Sequence, residues 1–262
     1  MTNGDYKVYC LDLDGTVYRG TEPIKEAVAF ISSLQEIGLN PYYVTNNSSA
    51  TPLQVKEKLA SFGINADDKK IMTSAIASAK YCKDMYPGAT VQVFGEKGLE
   101  EALRSLDIEI VSENPDVVIM GIDRSTNYEK LSDICLAIRS GAIFIATNGD
   151  KAIPSERGLL PGNGSFVKLV EYSTGVQSIL VGKPETHLLS YIQAEKGYEK
   201  EEMVMIGDNY DTDILAGIQF GIDTIHVEGG VTSKEEVLLK DKQPTHLVRT
   251  LAELKKINLP QN

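Results

Sequence analysis

The sequence lacks three features that point to particular classes of protein: paired cysteines, a surplus of basic residues and a long apolar segment. Its three cysteines form no C-x-x-C motif, so we expect neither a disulfide scaffold nor a cysteine-based zinc site, and a reducing cytoplasm is the predicted location. The longest apolar runs, such as Val117 to Met120, are far shorter than the roughly 20 residues that span a bilayer. We therefore expect no membrane association.

The charge balance is acidic, with 26 lysines and arginines against 37 aspartates and glutamates and a formal net charge of −11. Binding to a nucleic acid backbone needs clustered basic side chains, so we expect no nucleic acid partner. A small phosphorylated ligand is compatible with this charge, because a few local donors or a bound metal can reverse the electrostatic field inside a cleft.

Short apolar segments alternate with amphipathic segments toward both ends of the chain. Strands are predicted at Val8–Leu11, Pro41–Val44 and Met203–Ile206. Apolar residues at helical spacing predict a helix after the first strand, and a further helix is predicted from about Asp213 to Phe220. The repeated order of strand and helix predicts an α/β fold with a Rossmann-like, doubly wound parallel sheet.

The middle of the chain has predicted elements of its own. Its three predicted strands are Val91–Phe94, Val117–Met120 and Ile143–Ala146. We interpret residues 81–178 as an inserted α/β domain. Residues 1–80 and 179–262 are then one core domain built from both ends of the chain.

Polar segments follow the predicted core strands at their carboxyl ends, where open parallel sheets bind ligands. These segments are Asp12–Asp14, Thr45–Asn47 and Asp208–Asn209. Each of them alone has a plain structural explanation as a turn, a helix cap or a loop. Three such segments at the strand ends of one core favour a ligand site instead.

A cation is expected among the acidic residues of this site. Asp12 and Asp14 are two residues apart, so an extended backbone directs both side chains to the same side, and Asp208 would join them from another strand. Three neighbouring carboxylates repel one another unless a proton or a cation lies between them. Oxygen ligands favour Mg²⁺, and zinc is disfavoured because these segments contain no histidine or cysteine.

Lys183 is a further candidate, because its Gly-Lys-Pro segment cannot continue a helix and follows a strand-like run. It does not belong to a P-loop, since Gln177 stands where the first glycine is required and Pro184 replaces the serine or threonine. The isolated histidines are interpreted as structural residues: His187, His226 and His246.

Together these segments resemble the four motifs of the haloacid-dehalogenase-like (HAD) superfamily. The motifs are Asp12–Thr16, Thr45–Asn46, Lys183–Pro184 and Gly207–Asp213. The middle insertion resembles the α/β cap of the subfamily that includes NagD and the p-nitrophenyl phosphatases. The resemblance covers nearly the whole chain, with a cap of the right length between the second and third motifs.

The resemblance implies a catalytic or metal-binding role for the acidic motif residues. Asp12 is expected to be the nucleophile that forms an aspartyl-phosphate, and Asp14 the general acid and base. Mg²⁺ would be held by the Asp12 carboxylate, the Asp14 backbone carbonyl and Asp208. Asn209 and Asp213 are expected beside these groups, with Asp213 positioning a lysine or a metal-bound water.

The resemblance also implies a phosphate-binding set. Thr45, Asn46 and Asn47 are expected to bind phosphate oxygens, and Lys183 to neutralise charge on the nucleophile and on the transferring phosphoryl group. Five polar residues of the cap loops are expected either to face the core or to be solvated loop residues: Asp123, Arg124, Asn148, Asp150 and Arg157.

The reaction implied is the hydrolysis of small phosphomonoesters, with a sugar phosphate, a nucleoside monophosphate or a compound like p-nitrophenyl phosphate as the substrate. The natural partner would be a small phosphorylated metabolite, and the resemblance allows for a homodimer. Two alternatives stay open: a phosphotransferase, and a phospho-ligand sensor with vestigial activity.

Overall fold

The computed structural model of the chain describes residues 6–155 and 157–256. Residues 1–5 and 257–262 of the predicted core, and residue 156 of the predicted insertion, lie outside the described residues. The chain divides into two units. The first contains the residues up to Thr45, Val55–Met72 and the residues from Lys183 onward; the second contains Asn46–Gln54 and Thr73–Gly182. The domain boundaries at 80/81 and 178/179 stay predictions.

Strands and α-helices alternate along most of the described residues. The strands are β1 Val8–Leu11, β2 Tyr18–Arg19, β3 Glu22–Pro23, β4 Tyr42–Thr45, β5 Ile71–Thr73, β6 Val91–Phe94, β7 Val117–Met120, β8 Ile143–Ala146, β9 Ala152–Ser155, β10 Gly158–Pro161, β11 Ile179–Leu180, β12 Met203–Gly207, β13 Asp223–Val227 and β14 His246–Val248. The α-helices are α1 Lys25–Glu36, α2 Pro52–Ser61, α3 Ser74–Met85, α4 Lys97–Arg104, α5 Tyr128–Arg139, α6 Asn163–Thr174, α7 His187–Lys196, α8 Leu215–Phe220 and α9 Lys234–Leu238.

The largest sheet has six strands in the order β14-β13-β12-β1-β4-β5. The pairs β1–β12, β1–β4, β12–β13 and β13–β14 are all parallel. The direction of winding reverses at β1, because β4 and β5 lie on one side of it and β12 to β14 on the other. Such a switch point opens a crevice at the carboxyl ends of the strands, where α/β proteins bind ligands.

The central strands of this sheet are continuous apolar runs. All four residues of β1 and all five of β12 are buried. Parallel strands are covered on both faces, so they carry apolar residues at every position rather than at alternate ones. In α1 the buried residues Ala27, Phe30, Ile31 and Leu34 recur at helical spacing and form its inner face.

The second unit has a four-stranded parallel sheet in the order β11-β8-β7-β6. Helices α5 and α6 pack against it through a cluster that includes Phe94, Met120, Ile134, Phe144 and Val170. Two further pairs of strands, β2–β3 and β9–β10, are antiparallel.

The predicted α/β fold with a Rossmann-like parallel sheet is confirmed by this architecture. The helix predicted from about Asp213 to Phe220 corresponds to α8, whose first residue is Leu215; Tyr210–Ile214 before it form a wide π-helical turn. Within residues 6–155 and 157–256, no helix has the length and apolar character needed to cross a membrane.

Candidate active site

Three buried carboxylates meet at the carboxyl edge of the six-stranded sheet. Asp12 follows β1, and its backbone N–H donates to the Ile206 carbonyl of the neighbouring β12 at 2.9 Å. Asp208 follows β12, and Asp213 lies in the turn after it. One carboxylate oxygen from each of Asp12, Asp208 and Asp213 lies within 4.8 Å of the other two.

Lys183 links the three carboxylates, which follow β1 and β12, to the end of a third strand, β4. Its Nζ atom donates to Oδ1 of Asp12 and to Oδ1 of Asp213, both at 2.7 Å, and to the backbone carbonyl of Val44 in β4 at 2.9 Å. The Lys183 side chain is only 2% exposed. A buried ammonium therefore lies among the ends of β1, β4 and β12.

The electrostatics of the cluster show an excess of negative charge. Burial raises the pKa of Asp12 well above its usual value, and the neighbouring Asp213 raises it further, while Lys183 lowers it. Burial also raises the pKa of Asp208 to about 6, against hydrogen bonds from Val231 and Thr16 that favour its charged form. For Lys183, burial disfavours the charge, but Asp12 and Asp213 outweigh burial and raise its pKa.

The donor set of this cluster fits Mg²⁺. The three ligand groups are carboxylates. One ammonium balances one of their three negative charges, so a doubly charged cation would balance the other two. Hard oxygen ligands without nitrogen or sulfur are those that Mg²⁺ prefers. Asp12 and Asp208 are the residues that would hold the ion, with Asp213 beside them.

Asp208 has hydrogen-bond partners for which the sequence predicted no contact with the acidic site. The Thr16 hydroxyl donates to Asp208 Oδ1 at 2.9 Å, and the Val231 N–H donates to Oδ2 at 2.7 Å. The Asp208 carbonyl lies 3.0 Å from Nε2 of His226 and accepts the Thr232 N–H at 3.2 Å. Thr16 could have been found from its place in the first motif, but nothing in the sequence distinguishes His226.

Asp14 and Thr45 lie in the same unit as the cluster. Asp14 is exposed and forms an isolated β-bridge with Tyr18, across a tight turn in which Gly15 has a φ of +96°. A Cβ atom at Gly15 would overlap the carboxylate of Asp208, so the turn needs glycine for space as well as for conformation. Thr45 is the buried last residue of β4.

Asn209 supports the turn that carries Asp213. Its side-chain oxygen accepts the Asp211 N–H at 3.0 Å, and its own backbone N–H donates to Asp213 Oδ2 at 3.1 Å. The two oxygens of Asp213 therefore have different partners: Oδ1 accepts from Lys183 and Oδ2 from Asn209. This arrangement orients the Asp213 carboxylate toward the lysine.

Asn46 and Asn47 belong to the second unit, and their side chains form hydrogen bonds with other residues of that unit. Asn46 Nδ2 donates to Asp150 Oδ1 at 3.2 Å, and the Asn46 carbonyl accepts from Asn148 Nδ2 at 2.9 Å. The side-chain oxygen of Asn47 accepts the Ser49 N–H at 2.8 Å. These contacts order the loop after β4, and the role of both asparagines in phosphate binding stays a prediction.

The other predicted cap residues are mostly engaged within the second unit. Asp123 is buried and accepts from Lys130 Nζ at 2.7 Å. Arg124 is exposed, and its Nη1 atom donates to both carboxylate oxygens of Glu96, at 3.0 and 2.8 Å. Arg157 is exposed. Asp123 and Arg124 thus stabilise the loop after β7.

Two family models match the chain. A model of haloacid dehalogenase-like hydrolases matches residues 9–109, and a model of HAD-hydrolase-like proteins matches residues 180–254. The first match contains Asp12 and Thr45, and the second contains Lys183, Asp208 and Asp213. The matched segments therefore carry all four motifs.

Known proteins match nearly the whole chain. The 5′-nucleotidase YutF of Bacillus subtilis is 47% identical over 248 residues, which cover 95% of this chain and 97% of the relative. An acid sugar phosphatase of Staphylococcus epidermidis is 47% identical over 256 residues, which cover 96% of this chain and 99% of the relative. The crystal structure of a 4-nitrophenylphosphatase from Thermotoga maritima is 30% identical and matches with a TM-score of 0.92, covering 98% of each chain.

Proposed function

The chain belongs to the haloacid-dehalogenase-like hydrolase family and is a phosphoric monoester hydrolase, and on that basis we propose that it hydrolyses small phosphomonoesters in a Mg²⁺-dependent reaction with Asp12 as the nucleophile. The observation that carries this proposal is the contact between Asp12 and Lys183, a buried carboxylate 2.7 Å from a buried ammonium in a cluster that contains two further carboxylates. Covalent catalysis by a carboxylate needs such compensation, because the substrate phosphate is itself negatively charged.

In the first half of the proposed reaction, a carboxylate oxygen of Asp12 forms a bond to phosphorus while the bond from phosphorus to the leaving oxygen breaks. Asp14 gives its proton to that leaving oxygen. Lys183 keeps its positive charge between Asp12 and Asp213 and stabilises the charge that develops on the phosphoryl group.

In the second half, Asp14 takes a proton from a water molecule, whose oxygen forms a bond to phosphorus as the bond to Asp12 breaks. Inorganic phosphate is released and the Asp12 carboxylate is regenerated. Asp14 thereby regains the proton that it gave to the leaving oxygen in the first half, so the two halves return it to its starting state. Mg²⁺, held by Asp12, Asp208 and the Asp14 carbonyl, would supply positive charge toward the phosphoryl oxygens.

The proposed substrate class follows the relatives. Their names describe a 5′-nucleotidase, an acid sugar phosphatase and a 4-nitrophenylphosphatase, so we propose a sugar phosphate or a nucleoside monophosphate as the natural substrate and aryl phosphates as usable ones. Thr45, Asn46 and Asn47 are the proposed phosphate-binding residues. The cytoplasmic location and the homodimer stay predictions.

The test is the hydrolysis of p-nitrophenyl phosphate by the purified chain, with Mg²⁺ and with excess chelator. Asp12→Asn keeps the size of the side chain but removes the nucleophile, so it should show no turnover above background. Asp133→Asn makes the same change at an exposed position of α5 and should behave as the unaltered chain does. Turnover in Asp12→Asn, or full activity in chelator, would contradict the proposed mechanism.

A further inference from the structure

Asp208 is held by a segment that lies outside the four motifs. We call this segment the 226–232 clamp and define it as His226, Gly230, Val231 and Thr232. His226 lies in β13, and the other three residues form the loop that follows that strand. The clamp contacts both the backbone carbonyl and the carboxylate of Asp208.

His226 is the buried end of the clamp. It pairs with Gly207 of β12 in the register of the sheet and is 0% exposed. Its Nε2 atom lies 3.0 Å from the Asp208 carbonyl oxygen. A carbonyl can only accept a hydrogen bond, so this contact assigns the imidazole proton to Nε2.

The loop end of the clamp contacts Asp208 through backbone N–H groups. Val231 donates to Oδ2 at 2.7 Å, and Thr232 donates to the carbonyl at 3.2 Å. A Cβ atom at Gly230 would overlap the Asp208 carboxylate, so only glycine lets the loop approach this closely. The Thr232 hydroxyl oxygen in turn accepts the N–H of Tyr210 at 2.9 Å, which ties the loop to the turn after Asp208.

We propose that the 226–232 clamp is a positioning element for Asp208, and that its hydrogen bonds set the affinity of the site for Mg²⁺. This inference rests on the proposed function, in which Asp208 holds the ion. Each carboxylate oxygen of Asp208 accepts one hydrogen bond from a neutral donor, Oδ1 from Thr16 and Oδ2 from Val231. The plane of the carboxylate is therefore set before an ion binds.

The size of the expected effect follows from the way metal sites respond to changes around their ligands. Removing a hydrogen-bond partner of a metal ligand commonly costs about 10–100-fold in metal affinity. His226 and Thr232 act on the Asp208 backbone and on the loop, so their loss should let the carboxylate take up other orientations. A purely structural clamp would instead lower the stability of the chain and leave the affinity for Mg²⁺ unchanged.

The test uses two pairs of variants of the full chain and Mg²⁺ alone as the probe. His226→Leu removes the ring N–H, whereas His226→Gln places an amide N–H near the position of Nε2. Thr232→Val removes the acceptor for the Tyr210 N–H, whereas Thr232→Ser keeps it. Mg²⁺ binding is measured by titration calorimetry, and the thermal midpoint of each variant is measured in chelator.

We expect His226→Leu and Thr232→Val to weaken Mg²⁺ binding by about tenfold or more, and His226→Gln and Thr232→Ser to bind nearly as the unaltered chain does. The inference is overturned if the Leu and Val variants bind Mg²⁺ with unaltered affinity, whatever their thermal midpoints. Should one variant fail to fold, the other pair decides the question. An unaltered chain that binds no Mg²⁺ would refute the proposed function itself, which is a different result.

Discussion

The Nζ atom of Lys183 lies 2.7 Å from Oδ1 of Asp213, and both side chains are only 2% exposed. A buried ion pair costs much solvation to form, but removing one partner leaves the other charge buried and uncompensated. Lys183 has a second carboxylate partner in Asp12, whereas Asp213 depends on Lys183 for its nearest positive charge among the described residues. The two residues are therefore expected to respond differently to substitution.

Lys183→Met should lower the free energy of unfolding by about 3–5 kcal/mol and abolish turnover, because it leaves Asp12 and Asp213 without their ammonium. Asp213→Asn should keep measurable turnover, since Lys183 retains Asp12 and the Val44 carbonyl as partners. Urea unfolding in chelator and hydrolysis of p-nitrophenyl phosphate measure the two effects. Unaltered stability and turnover in Lys183→Met would contradict this account of the ion pair.

Removing the metal should destabilise the chain as well as stop the reaction. An ion that binds only the folded state raises the free energy of unfolding, by about 2.7 kcal/mol at a concentration of 100 times its Kd. Mg²⁺ should thus raise the thermal midpoint of the unaltered chain, and chelator should reverse the rise. In Asp208→Asn the rise should be much smaller. An equal rise in this variant would exclude Asp208 as a ligand.

Asp14→Asn should lower kcat by about 10²–10⁴-fold without loss of stability, because it removes a general acid and base from an exposed position. Protonation matters most when the leaving oxygen is a poor leaving group. The deficit should therefore be larger for an alkyl phosphate than for p-nitrophenyl phosphate, under conditions in which phosphoryl transfer to the enzyme limits the rate. Equal deficits for both substrates would argue against Asp14 as the acid that protonates the leaving oxygen.

Sequence pattern was sufficient for the elements that are apolar throughout or sharply amphipathic. The bounds of β1, β6, β7 and β8 agree with the prediction because these strands are short and apolar at every position except Gln92 of β6. The start of helix α5 is marked by Asn127, whose side chain accepts the Lys130 N–H.

Elements without such a pattern could not be predicted. Helix α3 buries mainly small residues, Ala75, Ala77, Ser78 and Ala79, so its sequence shows little contrast between an inner and an outer face. The hairpin of β9 and β10 is largely exposed and contains Pro154, which weakens the signal of a strand.

In the candidate site, too, some contacts could be predicted from the sequence and others could not. Asp12 and Asp208 each follow an apolar strand, so their nearness could be inferred from their position at the carboxyl ends of parallel strands. The contact of His226 with the Asp208 carbonyl depends on the register of β12 against β13 and joins residues that are 18 positions apart. No spacing rule within one strand or helix encodes such a contact.

Glu171 of the second unit provides a test of pH dependence away from the acidic cluster. Burial alone would raise the pKa of its carboxyl, but hydrogen bonds from Lys168 and from the N–H and hydroxyl of Ser178 outweigh burial and lower the pKa below its usual value. The folded chain therefore binds a proton at Glu171 less readily than the unfolded chain does. Its contribution to stability is fully present above the unfolded pKa of about 4.3 and is lost as the pH falls through the lower folded value.

Glu171→Gln should consequently lower the free energy of unfolding by about 1–2 kcal/mol at neutral pH, mainly because the hydrogen bonds from Ser178 become weaker. The ion pair with Lys168 contributes less, because Lys168 is largely exposed and solvent screens the pair. The difference from the unaltered chain should shrink as the pH falls below about 4, since a protonated Glu171 resembles glutamine. Urea unfolding at a series of pH values measures this difference in the free energy of unfolding. Glu129→Gln, on the exposed face of α5, is the control for the loss of one negative charge. A difference that stays constant across this pH range would mean that the charge on Glu171 does not stabilise the fold.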